Sequence, residues 1–455
     1  MKFKRILCAA LCACLLLAAV VIPAGAAGCG CGEVVQVYME GFGSPLYYNF
    51  GTPEQEVAGM ARTDNLAFGI GRLLGGARRG LWQRSWAPFA DGTRDLVMGL
   101  MGHLALDPQG NSLEPITNHW QFDAKQDHKK EPEYIFDFDF RMDPFDTAKQ
   151  LDEFIRVILK ATGHSKVALT GSSEGAVICM TYLKQYGTKH LDTLILVNGA
   201  WQGLTLAGEL LTNKFGMSGP SVTNYIGNFD DGSGSLKLAM ALLRDAHVLD
   251  FLQPLGETLM DGMGEEIYAD ILLPLFGMMP ILWAFVPNEY YAEARKFLTG
   301  DPACADLLAR ADRYQKEVQT QAGRLLKNAV ASGAKVAVLA GYGGYPIPVT
   351  QNETFQCDTM IDTAYESGGA TTAPIGQQLP PSNSKYRSPD GVIDAATCIL
   401  PDQTWFVKNS GHNAWPSREL RQWIIHYKGK PTVWSSADWP QYLINVDGEA
   451  QAYRG

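Results

Sequence analysis

Short apolar runs and longer amphipathic runs alternate along two parts of the chain. The apolar runs have the length and composition of buried strands, and the runs between them repeat apolar positions at helical spacing. Strands that alternate with helices form a mostly parallel sheet with helices on both faces, so the pattern predicts an α/β fold. The predicted strands are residues 33–39, 134–140, 167–169, 193–197, 335–340 and 404–408.

The alternation stops between residues 204 and 332, where helical and loop patterns continue without a strand. We interpret this part as a helical cap inserted into the α/β core. A smaller insertion after the first strand carries predicted helices at residues 66–74 and 94–106. We therefore divide the chain into a signal peptide (1–27), the first part of the core (28–203), the cap or lid (204–332), the second part of the core (333–430) and a C-terminal extension (431–455).

The beginning of the chain has the three parts of a secretory signal peptide. Residues 1–5 are basic, residues 6–22 are apolar, and Ala24-Gly25-Ala26 supplies small residues at a cleavage site. We expect the mature protein to be secreted. Cys29 follows the expected cut closely and leaves a lipid-anchored variant open, and the apolar run leaves a retained anchor open.

Charge and cysteine content narrow the possible partners. The formal net charge of −10 provides no basic surface, so we expect no nucleic-acid partner. Six of the nine cysteines lie beyond the signal peptide, and no C-x-x-C or His-Cys cluster suggests zinc. His119, Asp123 and His128 form only a weak alternative metal set. We expect neither a metal nor an organic cofactor.

The segment Gly171-Ser172-Ser173-Glu174-Gly175 fits the G-x-S-x-G nucleophile elbow. A buried strand precedes it and a helical pattern follows it, which is the context that this motif requires. Glycines allow a strand and a helix to approach closely where a Cβ would clash. Ser173 is therefore the candidate nucleophile, and the alternative is a glycine-rich turn with two incidental serines.

A histidine and an acid follow later predicted strands. His412 lies in the polar loop after the last predicted strand, and Asp390 lies in a turn before Gly391. The order serine, acid, histidine is that of an α/β-hydrolase triad. Asp390 is the preferred acid because a carboxylate at such a turn can reach the far nitrogen of the histidine. Asp394 and Asp402 remain alternatives.

Two backbone N–H groups are candidates for an oxyanion hole. In an α/β hydrolase, the loop after the first core strand and the residue after the nucleophile each donate one N–H. These positions are held by Phe42, in the turn Glu40-Gly41-Phe42-Gly43, and by Glu174. The carboxylate of Glu174 is also expected to raise the pKa of His412 by favouring its protonated form.

Several short motifs resemble the lipase superfamily of α/β hydrolases, most closely the lecithin:cholesterol acyltransferase-like branch together with bacterial secreted lipases. The sequence departs from that pattern at Ser172, where histidine is common, at Glu174, where an apolar residue or glutamine is usual, and at Glu40, which replaces histidine or proline. The motifs that carry the resemblance are residues 40–43, 138–141, 171–175, 198–203, Pro280-x-x-Trp283-x-x-x-Pro287, 390–393 and Gly411-His412.

This resemblance implies an α/β-hydrolase fold and a secreted serine hydrolase that cleaves carboxylic esters, with lipids as expected substrates. A lipid O-acyltransferase would use the same acyl-enzyme, and an inactive binding protein would lack a triad member. In that branch a disulfide brackets the acid loop much as Cys357 and Cys398 do here, and two buried thiols are the alternative. Cys357 and Cys398 are therefore a possible disulfide.

Residues 271–287 are very apolar and contain no charged residue. Prolines and a glycine interrupt this segment. Such a segment must be buried or must contact lipid. We expect Trp283 and Phe285 to belong to a substrate-contacting lid that touches a membrane or lipid surface. The alternative is that the segment forms the core of the cap against the hydrolase body.

Overall fold

The computed structural model describes residues 29, 31–62, 66–85, 87–214, 216, 265–351, 354–413 and 418–455. The predicted signal peptide and residues 217–264 of the predicted cap lie outside the described residues. Within these ranges, no helix combines the length and the apolar character that crossing a membrane requires.

The centre of the molecule is an eight-stranded sheet in which all neighbours are parallel except the last pair. This confirms the predicted mostly parallel sheet. The first seven strands run parallel because helical crossovers return the chain to the same end of the sheet each time. From one edge to the other, the strands are β5 (Glu133–Ile135), β1 (Gln36–Met39), β6 (Val167–Ser172), β7 (Leu191–Val197), β8 (Lys335–Tyr342), β11 (Thr404–Lys408), β12 (Tyr442–Val446) and β13 (Glu449–Ala452).

The helices follow the apolar periodicity of the sequence. In the helix Pro144–Thr162, the Asp143 carboxylate accepts a hydrogen bond from Phe145 N at 2.7 Å, and Gly163 ends the helix at φ 73°. The α-helices are α1 (Leu66–Gln83), α2 (Ala87–Met101), α3 (Pro144–Thr162), α4 (Glu174–Tyr186), α5 (Thr205–Leu211), α6 (Pro280–Ala284), α7 (Asn288–Ala294), α8 (Ala305–Glu317), α9 (Ala322–Ala331), α10 (Thr363–Glu366) and α11 (Arg418–His426).

The insertion between β1 and β5 contains its own small sheet and the helix pair α1 and α2, which pack against each other. Its antiparallel strands are β2 (Leu46–Tyr48), β3 (Glu56–Ala58) and β4 (Ile116–Thr117). Buried Arg141 joins this insertion to the core: it pairs with Asp139 at 2.7 Å and donates to the carbonyl oxygens of Leu104 and Ile116. Helix α1 continues past its predicted end at residue 74. Helix α2 begins before residue 94 and ends before residue 106.

The last 25 residues contribute two strands to the central sheet. β12 pairs with β11 in parallel, and β13 closes the edge by pairing with β12 in antiparallel register. A separate short antiparallel pair consists of β9 (Thr371–Thr372) and β10 (Ile393–Asp394). The segment expected as a C-terminal extension thus supplies the last two strands of the central sheet.

The described part of the predicted cap contains helix α5, a π-helix at Tyr268–Gly277 and helices α6 to α9. Helix α9 packs on α4 and β8, so it covers the central sheet. Trp283 is 1% exposed and donates from Nε1 to the Gly277 carbonyl at 2.9 Å, and Phe285 is 7% exposed. Neither side chain therefore forms an exposed apolar patch.

Candidate active site

The turn between β6 and α4 holds Ser173 in a strained backbone conformation. Its φ is 52° and its ψ is −116°, and its N–H donates to the Val197 carbonyl at 2.9 Å. A Cβ on Gly171 would lie 2.3 Å from Gly175 O, and a Cβ on Gly175 would lie 2.8 Å from Met39 O. Both glycines are therefore required by close backbone approach, and the strand-turn-helix context predicted for the elbow is present.

His412 lies in the loop after β11 and faces Ser173. Its Nε2 is 3.0 Å from Ser173 Oγ. Two contacts hold the backbone of this loop: Asn198 Nδ2 donates to His412 O at 3.4 Å, and His412 N donates to Thr359 Oγ1 at 3.4 Å. The 3.0 Å between Nε2 and Oγ allows the imidazole to take the hydroxyl proton of Ser173.

The acid that faces His412 is Asp358. Its Oδ2 is 2.6 Å from His412 Nδ1, and its side chain is fully buried. Its Oδ1 accepts hydrogen bonds from Met360 N at 2.9 Å and Ile361 N at 2.7 Å. These two amides fix the carboxylate, so Oδ2 accepts the Nδ1 proton and leaves Nε2 free to act as a base.

The expectation that Asp390 orients His412 is wrong on geometry. Asp390 Oδ2 forms an ion pair with Lys408 Nζ at 2.9 Å, and Oδ1 accepts from Ser388 Oγ at 2.6 Å. The alternatives are engaged elsewhere as well, Asp394 with Ser384 and Asp402 with Trp434. In the sequence, Asp358 could have been found as an acid in the loop that follows β8. The glycine that follows Asp390 made the Asp390 turn the stronger candidate.

The environment of His412 favours its protonated form. Burial works against the imidazolium, but the charge and the hydrogen bond of Asp358 outweigh burial and raise the pKa of His412 above its ordinary value. The neutral imidazole is the form that can act as a base. Activity that depends on it must therefore be lost as the pH falls through this raised pKa.

Glu174 does not act on His412 in the way expected from the sequence. Its side chain is 1% exposed, and burial, followed by the nearby charge of Asp139, raises the pKa of the Glu174 carboxyl well above its usual range. This shift favours the neutral form of the carboxyl. Since Asp358 is the acid that raises the pKa of His412, the predicted contribution of a Glu174 charge is corrected.

The loop after β1 lies directly on the elbow. A Cβ on Gly41 would be 2.6 Å from Ser173 Cβ and 3.6 Å from Glu174 N. Phe42 lines the same pockets as Ser173. The structure thus brings Phe42 and Glu174 to Ser173, while their role as oxyanion donors stays a prediction.

Two cavities meet at Ser173. One has a volume of about 490 Å³ and contains polar groups, among them Glu40, Asn198 and Asn413. The other has a volume of about 340 Å³ and is almost wholly apolar. Phe285 is one of its lining residues, whereas Trp283 lines neither cavity. The apolar cavity is also lined by Leu204, Leu206, Leu210, Phe276, Leu282 and Met360.

Cys357 and Cys398 are separate buried thiols, so the disulfide suggested by the resemblance is absent from the structure. Cys357 Sγ donates to the Gly344 carbonyl at 3.4 Å. Burial raises the pKa of the Cys398 thiol to about 12 and that of the Cys357 thiol well above its usual value. Thiols with such pKa values are almost entirely protonated at neutral pH and are weak nucleophiles.

Comparisons with known proteins leave the site to be judged on its own geometry. No family model matches the chain, and no curated protein sequence matches it. Similar solved structures include a proposed lipase from Acinetobacter baumannii, with 17% identity over 43% of this chain and 70% of that chain and a TM-score of 0.15. Another is a proposed aryl esterase from Burkholderia cenocepacia, with 18% identity, coverage of 38% and 60%, and a TM-score of 0.13. At these TM-scores the likeness carries no argument.

Proposed function

We propose that this protein is a serine hydrolase that cleaves carboxylic esters through an acyl-enzyme. The observation that carries the proposal is the chain of hydrogen bonds from Ser173 through His412 to Asp358. A hydroxyl, a base and a buried carboxylate in this arrangement are the parts that activate a serine nucleophile.

In the proposed first half-reaction, Ser173 Oγ attacks the acyl carbon while its proton moves to His412 Nε2. The tetrahedral intermediate then collapses, the ester C–O bond breaks, and His412 returns the proton to the leaving alcohol. Water attacks the acyl-enzyme in the second half-reaction, again giving a proton to His412, which returns it to Ser173 Oγ as the acid leaves. Asp358 keeps the imidazole oriented and stabilises its charged form.

Two backbone N–H groups are proposed to stabilise the negative oxygen of each intermediate, those of Phe42 and Glu174. The close contact of Gly41 with the elbow supports this assignment, because it leaves no room for another chain segment between the loop and Ser173. Glu174 is also the first residue of α4, where unpaired N–H groups favour negative charge. Losing one such donor typically costs about 3 kcal/mol of transition-state stabilisation.

The substrate is proposed to be an ester with an apolar acyl chain. The apolar cavity beside Ser173 would hold the acyl chain, and the polar cavity would hold the alcohol part. Both volumes lie within the range of about 300–1,000 Å³ typical of small-molecule sites. Lipid esters match this division between an apolar and a polar part.

The wider assignment follows from the same site. The order Ser173, Asp358, His412 is that of an α/β-hydrolase triad, and the nucleophile follows a strand in the middle of a mostly parallel sheet. We therefore assign the α/β-hydrolase fold, with residues 204–332 supplying a cap. The leader-like residues 1–27 support secretion. The proposed chemistry requires no metal or organic cofactor.

Replacing the nucleophile tests the proposal directly. Ser173→Ala should lower kcat/KM for a short-chain p-nitrophenyl ester by on the order of 10⁴-fold or more and abolish labelling by a fluorophosphonate probe. The neighbouring Ser172→Ala variant is the matched control and should label normally. If Ser173→Ala keeps wild-type turnover with an unchanged circular dichroism spectrum, the proposed mechanism is wrong.

Filling the apolar cavity tests the substrate class. Leu210→Trp should lower kcat/KM for long-acyl esters by about 10-fold or more relative to an acetyl ester, because a small change of pocket volume is worth about 1–3 kcal/mol. Leu113→Trp, at an exposed position, is the control for the added indole. An equal loss on both substrates would place the acyl chain elsewhere.

A further inference from the structure

Two cysteines and two histidines come together at the amino ends of the parallel strands, whereas Ser173 lies at their carboxyl ends. Cys29 and Cys31 precede β1, His128 lies in the loop before β5, and His164 lies between α3 and β6. Since β6, β1 and β5 are adjacent and parallel, their amino ends bring these residues to one place. The four residues are distant in sequence and are collected by the topology of the sheet.

The four side chains offer metal-binding atoms at close range. Cys29 Sγ is 3.1 Å from His164 Nε2, Cys31 Sγ is 3.5 Å from the same nitrogen, and the two imidazole centroids are 5.5 Å apart. One ligand atom from each of the four residues lies within 4.8 Å of every other. With Zn–S near 2.3 Å and Zn–N near 2.0–2.1 Å, the ligand atoms of a tetrahedral site are separated by roughly 3.3–3.8 Å.

The state of His128 points to an additional partner at this place. Its Nε2 is shielded from solvent and has no hydrogen-bond partner among the described residues. A buried polar atom without a partner is costly, and a bound ion is one explanation. The other described cysteines, at positions 179, 304, 357 and 398, do not belong to any such group of ligands.

We propose that Cys29, Cys31, His128 and His164 form a structural zinc site. Two thiolates and two imidazoles are a set that zinc favours, and four protein ligands leave no open position for a substrate. The chain is synthesised with thiols, so zinc binding requires only the release of the two thiol protons to solvent. The structure joins Cys29 to Cys31 as a disulfide, which is the competing oxidised state and needs an oxidant to form.

The position of the site gives zinc a structural task. The six residues of β6 lie between His164 and the elbow. At the rise of a β-strand, they separate the two by roughly 20 Å. A metal at that distance cannot touch the reacting atoms. It would instead fasten the segment before β1 and the loop before β5 to the loop after α3. The expected effects are therefore on stability rather than on turnover.

The test measures zinc in the full chain, purified under reducing conditions, exposed to zinc and dialysed. We expect one equivalent of zinc by elemental mass spectrometry, and replacement by cobalt(II) should produce a thiolate-to-cobalt charge-transfer absorption. Cys29→Ser combined with Cys31→Ser, and separately His164→Gln, should reduce bound zinc to near zero. Cys304→Ser and the exposed His426→Gln are matched controls and should keep it.

Stability and turnover complete the test. Chelation should lower the Tm of the wild type and of the controls, and should not lower the Tm of the ligand variants. Below the melting range, kcat for a soluble ester should change by less than about 2-fold, since zinc is remote from Ser173. This separates loss of zinc from failure of the proposed triad, which would remove turnover without removing zinc.

Three results would overturn the zinc site. The first is wild-type protein that retains no metal after zinc exposure. The second is a Cys29–Cys31 disulfide or a lipid thioether on Cys29, detected by mass spectrometry of the mature protein from its native source. The third is equal zinc retention by the ligand variants and the controls.

Discussion

The turns that hold Asp358 and Asp390 have nearly the same local structure and different surroundings. In each, Oδ1 of the aspartate accepts a hydrogen bond from the backbone N–H two residues later, at 2.9 Å for Asp358 and 3.2 Å for Asp390. In each, the next residue has a positive φ, 86° for Thr359 and 73° for Gly391. Only glycine adopts that conformation readily, so only the Asp390 turn is visible in the sequence.

What differs is the group that faces the second carboxylate oxygen. Asp358 is fully buried against His412, whereas the Asp390 side chain is 12% exposed and paired with Lys408. Burial alone would raise the pKa of Asp390, but hydrogen bonds from Ser388 and Lys408 hold it below its usual value. The comparison shows that a turn sequence predicts how an aspartate is held and does not predict which base it faces.

The largest expected difference between the two turns is in turnover. Asp358→Asn should lower kcat for a soluble ester by on the order of 10⁴-fold, because the amide favours the wrong imidazole tautomer. Asp390→Asn should leave kcat within about 2-fold of the wild type. Steady-state kinetics on both variants, with circular dichroism to verify folding, make the measurement. A large loss for Asp390→Asn and none for Asp358→Asn would reverse the assignment.

A smaller difference is expected in stability when the residues after the aspartates are exchanged. Gly391→Thr should destabilise the protein by about 1–2 kcal/mol and lower its Tm, because a β-branched residue is forced to a positive φ. Among the described residues other than its chain neighbours, the nearest atom to the added Cβ is Gln378 Cδ at 3.6 Å, so the cost is in the backbone.

Thr359→Gly is the reciprocal variant. Relief of the unfavourable φ should offset both the entropy that glycine adds to the unfolded chain and the loss of the 3.4 Å contact between His412 N and Thr359 Oγ1, so its Tm should stay close to that of the wild type. Thermal unfolding followed by circular dichroism compares the two. If the Tm of Gly391→Thr equals that of the wild type, the Asp390 turn accepts a β-branched residue at a positive φ without loss of stability.

The smallest effect is expected at Glu174. In the wild type, kcat/KM should fall on acidification through a pKa above that of an ordinary histidine, since Asp358 raises the pKa of His412. Glu174→Gln should leave this acidic limb in place, because the raised pKa of the Glu174 carboxyl favours its neutral form. The pH profile of kcat/KM gives the answer. A limb that moves to lower pH in Glu174→Gln would mean that Glu174 is ionised near His412.

The sequence by itself determined the features that depend on neighbouring residues. Alternating apolar and amphipathic runs predicted the parallel sheet, and the glycines around Ser173 predicted the elbow, since close backbone approach there excludes a Cβ. His412 was identified because it lies in a polar loop just beyond a predicted strand. Each of these signals is contained within about twenty residues.

Tertiary structure decided everything that depends on which distant groups meet. Asp358 and His412 are 54 positions apart, and the backbone that aims the carboxylate contains a threonine at a positive φ, which no turn rule marks. The raised pKa of the Glu174 carboxyl arises mainly from its burial. The four candidate zinc ligands are collected only where parallel strands begin together. Burial, ionisation and side-chain pairing depend on packing across the whole sheet, and a local pattern carries no information about them.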